Sequence, residues 1–147
     1  MDSVSEQIHD WYTQWNRIEQ AYSRWAAENG LTDAMLSCLI FLQKTEQACT
    51  QQKICMELSL PKQTVSAALL SLEKKSWIIR RASASDHRIR TVLFTPEGKA
   101  RTEALLSGLH QTERRAFLSL TEEERAQFIR IGGLLARRLT QQFNSDI

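Results

Sequence analysis

Three observations predict a mainly α-helical chain with one small β-hairpin. Along most of the 147 residues, apolar side chains return every three or four positions, the rhythm of amphipathic helices. That rhythm breaks once, at Trp77–Arg81 and Arg90–Phe94, two β-branched, aromatic or basic runs separated by the polar turn Ala82–Arg88. Just before the break, L-P-K-Q-T-V-S-A-A-L-L-S-L-E-K-K reads as a short helix, and just after it T-P-E-G opens another.

The elements follow in chain order. In the first helix Ile8, Trp11, Trp15, Ile18, Tyr22 and Trp25 step by three and four, a stripe with too much aromatic area to stay wet, so it demands a partner. Asn29-Gly30 ends this helix with residues that tolerate a left-handed backbone, and Thr32 caps the next. Met35, Leu36, Leu39, Ile40 and Leu42 mark the buried face of a second helix, and a short third runs from Thr50 to Leu58. Pro61 suits the first position of a fourth helix, where its missing N–H has no partner to lose. Val65, Ala68, Leu69 and Leu72 then make one apolar face. Beyond the hairpin, Thr95-Pro96 starts a long helix through Leu118, with Ala100, Ala104, Leu105 and Leu109 along it. Thr121–Glu124 is a capping box that sets three carboxylates at the positive end of the last helix, and Arg137 and Arg138 lie near its negative end. Phe128, Ile131, Leu135, Leu139 and Phe143 give that helix its apolar face, and the polar tail Asn144–Ile147 is expected to fray.

Charge is distributed unevenly over these elements. Between Pro61 and Arg101 nine Lys or Arg meet three acids, a local +6, so the rest of the chain carries −4 within an overall +2. That asymmetry is the footprint of a phosphate-binding surface. The polar face of the fourth helix carries Lys62, Gln63, Ser66, Ala67 and Lys74, short or hydrogen-bonding groups suited to a major groove. Helix, basic hairpin and helix in this order form a winged helix-turn-helix. In that reading Lys62, Gln63, Thr64, Ser66 and Ala67 meet the major groove: Gln63 pairs with adenine, Lys62 with guanine or phosphate, Thr64 with either, and Ala67 touches a thymine methyl. Lys74 takes backbone phosphate, and Arg88 and Arg90 place cationic tips at the minor groove. Asp86 orients the wing by holding the Arg88 side chain.

Other chemistries find little support. His9, His87 and His110 are scattered, and no nucleophile motif, phosphate loop or carboxylate pair appears, so neither enzyme, metal nor cofactor is expected. No apolar run approaches the ~20 residues of a membrane span. Three cysteines cannot all pair within one chain, which suits a reducing cytoplasm. Cys38 lies among apolar neighbours and reads as core, whereas Cys49 and Cys55 leave open a thiol-based redox sensor.

Several ordered pieces resemble the MarR family of bacterial transcriptional regulators: Thr32 and Thr50 opening helices, Leu72-Glu73-Lys74-Lys75, the paired Arg80 and Arg81, Asp86-His87-Arg88, and Val92-Leu93-Phe94-Thr95-Pro96-Glu97-Gly98. Ser76 departs from the glycine usual between recognition helix and wing, and Pro61 from a polar helix cap. The resemblance implies a single domain over 1–147, with a winged helix-turn-helix part at 31–95 and a helical dimerisation part at 1–30 and 96–147. It further implies a homodimer on double-stranded DNA, acting as a repressor at a pseudo-palindromic operator with half-site centres roughly 34 Å apart. Relatives are commonly released by a small aromatic or phenolic effector, which Trp11, Trp15 and Arg17 would receive here; plain packing in the dimer interface is the alternative role of the tryptophans. The family's peroxide sensors carry a reactive cysteine in the first helix, and this chain has none there. A winged-helix module that binds protein through the same basic face is the competing reading.

Overall fold

The computed structural model describes residues 2–45 and 48–145. The elements are α1 (Ser3–Glu28), α2 (Asp33–Lys44), β1 (Cys49–Thr50), α3 (Gln51–Leu58), α4 (Lys62–Lys74), β2 (Ile78–Ala82), β3 (Arg90–Phe94), α5 (Pro96–Leu118) and α6 (Glu122–Ser145). They form two compact units, residues 1–104 and 105–147. The fraying expected of the tail concerns partly Asp146 and Ile147, which lie outside the described residues; Asn144 and Ser145 still belong to α6.

In the first unit the threonines act as predicted. Thr32 Oγ1 accepts the Met35 N–H at 3.2 Å and Thr50 Oγ1 the Lys53 N–H at 3.1 Å. Each satisfies a backbone donor that the first turn leaves without a partner. Leu39, Ile54, Val65, Leu69, Leu72, Ile78 and Val92 are almost wholly enclosed, so α2, α3, α4 and the sheet share one core. The hairpin pairs Arg80 with Val92 and Arg81 with Thr91. A third strand, β1, adds antiparallel to β3 (Cys49 opposite Val92, Thr50 opposite Thr91), giving the order β1-β3-β2. Sequence patterning does not reveal this strand, because two residues cannot display alternation.

Three helices of this unit end in the same way. The N–H two residues past the last turn returns to a carbonyl five residues back: Leu31 to Ala26 (2.9 Å), Leu60 to Cys55 (3.3 Å) and Trp77 to Leu72 (3.0 Å). The residue between must be left-handed, and it is Gly30 (φ 72°), Ser59 (φ 51°) and Ser76 (φ 61°). Only the first is free of the Cβ penalty. Ser76→Gly is therefore expected to stabilise the fold by about 1 kcal/mol. A chemical-denaturation midpoint that rises at constant slope checks this.

Immediately after the sheet, Thr95 locks the start of α5 onto the end of α4. Its N–H donates to the Trp77 carbonyl (3.0 Å), its hydroxyl donates to the Ser76 carbonyl (2.6 Å), and the same oxygen accepts the Gly98 N–H (2.9 Å). Gly98 is needed because a Cβ there would stand 1.8 Å from the Trp77 carbonyl oxygen. Along α5 the buried positions are Gly98, Thr102, Leu106 and Leu109, with Leu105 half-buried and Ala100 and Ala104 exposed. Of the four apolar residues that the sequence places along this helix Leu109 is buried, and a threonine holds a core position that neither alanine takes.

In the second unit Thr121 and Glu124 form the predicted capping box, with each side chain accepting the other's backbone N–H (3.1 and 2.7 Å). Phe117 meets Phe128 edge to face at 6.4 Å. No described residue of α6 is buried, and Phe128, Ile131, Leu135 and Phe143 are exposed.

Candidate nucleic-acid interface

Four buried residues fix the rotation of α4: Val65, Ala68, Leu69 and Leu72 face the core. At 100° per residue the opposite crest is then Gln63, Ala67, Leu70 and Lys74, all exposed or half-buried. Lys62 and Ser66 lie on the flank toward the wing, and Thr64 lies about 200° round the helix from Lys62. On the wing flank a groove of about 600 Å³ is lined by Lys62, Ser66, Gln52, Arg80, Arg88 and Arg90 among others, and none of the described residues in its walls is acidic. Four predicted contact residues, Lys62, Ser66, Arg88 and Arg90, therefore meet in one cationic groove. Gln63, Ala67 and Lys74 stand on the crest beside it, with Lys74 about 17 Å beyond Gln63 along the axis. Thr64 stands apart.

The wing turn is held by the side chain and the carbonyl of Asp86. Asp86 Oδ1 accepts the Arg88 N–H at 3.0 Å, and the Asp86 carbonyl accepts the Ile89 N–H at 3.1 Å. Asp86 thus orients the wing, but through the Arg88 main chain and not by the expected grip on its guanidinium. The Arg88 side chain is left exposed at the groove.

Arg80 behaves differently from its neighbour Arg81. Alternation along β2 turns Arg81 outward and Arg80 in, where its side chain is only 9% exposed. Its Nε donates to Glu73 Oε1 at 2.6 Å, Nη2 closes on the same oxygen, and Nη1 donates to Gln51 Oε1 at 3.2 Å. One of the nine cations of the basic segment is thus consumed in tying β2 to α4 and α3. Sequence reasoning also misses Gln52, which β1 and the Thr50 cap carry to the groove, and Leu70, whose place on the crest emerges once the core residues fix the rotation.

The aromatic site takes another form than predicted. The Trp11 and Trp15 rings meet at a tilt of 41° with centroids 5.2 Å apart, but Arg17 lies about 200° round α1 from Trp15. The cavity of about 560 Å³ beside Trp15 includes Ile18, Tyr22 and Leu36 with the carboxylates Glu19 and Asp33, and neither Trp11 nor Arg17 lines it. A phenolic anion would meet carboxylates there without a cation to receive it.

The cysteines are mostly enclosed. Burial pushes the Cys38 thiol up to about 12, with Cys55 and Cys49 adding to the rise. Burial likewise raises Cys49, against a smaller pull from Lys53. Since the thiolate is the reactive form, alkylation of the native protein at pH 8 is expected to label Cys55 first and to leave Cys38 and Cys49 unmodified. Mass spectrometry of the digested product checks the order. Among the described residues no three His, Cys, Asp or Glu are placed to hold a metal ion, and no helix is long and apolar enough to cross a membrane.

A three-helix core with an α4 crest and a β2–β3 wing sharing a cationic groove defines a winged helix-turn-helix protein. The sequence profile of the MarR family matches residues 29–89. The HTH-type transcriptional repressor YetL of Bacillus subtilis is 23% identical over 125 residues, spanning 84% of this chain and 75% of YetL. Among solved structures, the S. aureus MepR–DNA complex is 26% identical with a TM-score of 0.76, covering 90% of this chain and 97% of that one. The Neisseria meningitidis MarR family regulator NMB1585 is 24% identical with a TM-score of 0.74, covering 96% and 99%. Over residues 29–89 the chain is thus similar to the MarR family, and it shares the fold of that family's solved members.

Proposed function

We propose that the chain is a DNA-binding transcriptional repressor that acts as a homodimer on a pseudo-palindromic operator. The observation that carries this reading is the single cationic groove formed by Lys62 and Ser66 of α4 with Arg88 and Arg90 of the wing, beside a crest that bears Gln63. A helix that presents hydrogen-bonding side chains next to a paired set of arginines suits base edges in the major groove and phosphates and minor groove beside it. The similarity to a repressor and to a protein solved on DNA supports the same reading.

Dimerisation follows from exposed apolar surface. Val4, Ile8, Tyr12, Trp15 and Ile18 on α1, and Phe128, Ile131, Leu135 and Phe143 on α6, are each 46% exposed or more except Leu135, at 39%. Apolar stripes of this extent are costly in water, and a second copy of the same chain is the partner that covers both. A phenolic effector is left out of this reading, since the cavity beside Trp15 has Glu19 and Asp33 in its walls and not Arg17.

Selection from a random double-stranded library tests the proposal, with an inverted repeat as the expected product. Arg88→Ala is then expected to weaken binding to that repeat by about 1–3 kcal/mol with an unchanged melting temperature, since the exposed wing tip adds nothing to the core. Unchanged affinity would remove Arg88 from the interface.

A further inference from the structure

We propose that Leu70 reads the C5-methyl group of thymine and so sets part of the operator's sequence, an inference that rests on the DNA-binding reading above. Leu70 is 46% exposed although it lies in the middle of α4, and the helix does not need it for the core, which Val65, Ala68, Leu69 and Leu72 already fill. Its neighbours on the crest are Ala67 one turn before, Gln63 two turns before and Lys74 one turn after, so it is the one large apolar group on a face otherwise suited to base edges and phosphate. In a major groove the base edges offer hydrogen-bond donors and acceptors and a single apolar group, the thymine methyl. A leucine on that crest has no other complementary partner there. Ala67, which residue type alone matches to a thymine methyl, has too short a side chain to reach as far.

The geometry also predicts which thymine. Leu70 stands seven residues, about 10 Å, beyond Gln63 along α4. With the helix lying along the groove, and bases spaced about 3.4 Å apart on each strand, the methyl belongs roughly three base steps from the base that Gln63 contacts.

Replacing thymine by uracil removes the methyl and leaves every hydrogen-bonding group in place, which isolates this contact. The test measures the affinity of the wild-type protein, Leu70→Ala and Leu70→Met for the selected operator, with each thymine replaced in turn in both half-sites. One methyl buried against Leu70 is expected to be worth about fourfold, and roughly fifteenfold when both half-sites lose it. Wild type should show that loss at one thymine per half-site, about three steps from the position where Gln63→Ala changes preference. Leu70→Ala should bind the thymine and uracil operators equally, and Leu70→Met should keep part of the discrimination. Equal weakening of both operators by Leu70→Ala, or full discrimination retained without Leu70, overturns the inference while leaving the DNA-binding reading intact. A wild-type protein that selects no operator overturns both.

Discussion

Gly98→Ala is expected to destabilise the protein by about 3 kcal/mol, one of the two largest effects we predict. The added Cβ would stand 1.8 Å from the Trp77 carbonyl oxygen and 2.4 Å from both the Trp77 carbonyl carbon and Cα, so the obstacle is main chain and cannot rotate aside. Relief requires α5 to withdraw from the segment joining α4 to β2, which strains the Thr95 bonds to Ser76 and Trp77. In a chain of 147 residues such a loss lowers the melting temperature by roughly 10 °C. Thermal and chemical denaturation of the variant measure it directly, and an unchanged midpoint would contradict the close approach. The same substitution in exposed α5, at Gly108, where an added Cβ meets nothing within 4 Å, should stabilise instead by up to about 1 kcal/mol.

Glu73→Ala is expected to cost nearly as much, about 3 kcal/mol, for an electrostatic reason. Arg80 is 9% exposed and its charge is balanced by Glu73, whose own side chain is 30% exposed. Removing the carboxylate leaves the guanidinium enclosed with the Gln51 amide as its remaining hydrogen-bond partner among the described residues. Arg80→Met should be milder, because it removes the buried charge and keeps the apolar stem that packs beside the sheet. Denaturant titration of the two variants separates these cases: equal losses would mean that shape, and not the uncompensated charge, is what Glu73 supplies.

Much of the fold is legible in the sequence because helices announce themselves twice, by periodicity and by caps. The Thr32 and Thr50 caps and the Thr121/Glu124 box stand where the residues predict them. The departures are local. β1 is two residues long and lacks any pattern, and on α5 the polar Thr102 occupies a core position that apolar periodicity does not mark. Ser76 adopts the left-handed backbone that glycine would take more readily, so the departure from the family pattern changes the cost of the turn and not its shape.

The candidate site is legible in the same uneven way. Arg88 and Arg90 can be found because alternation and a polar turn place them on one side of a hairpin tip, and Lys62 and Ser66 because they occupy the helix flank next to it. Arg80 cannot be told from Arg81 by composition; only the strand register, with Arg80 opposite the buried Val92, shows which of the two is consumed by an ion pair. Trp15 and Arg17 are close in sequence yet point apart, since two residues on a helix are separated by about 200°. Leu70 falls on the crest as soon as the predicted face of Val65, Ala68, Leu69 and Leu72 is carried round the helix, but an apolar residue type gives no sign by itself of a contact with DNA.

The division of labour on α4 is the central claim, and one measurement tests it most directly: a salt titration of wild type, Gln63→Ala and Lys74→Ala against the selected operator and a panel of its single-base variants. Gln63→Ala is predicted to change relative affinity mainly at one position of each half-site. Lys74→Ala is predicted to weaken all sequences alike and to flatten the slope of log K against log salt by roughly 1 for each phosphate no longer neutralised. If Gln63→Ala lowered every sequence equally while Lys74→Ala altered base preference, or if wild type bound all sequences alike, the account of this face as a reader of DNA sequence would be contradicted.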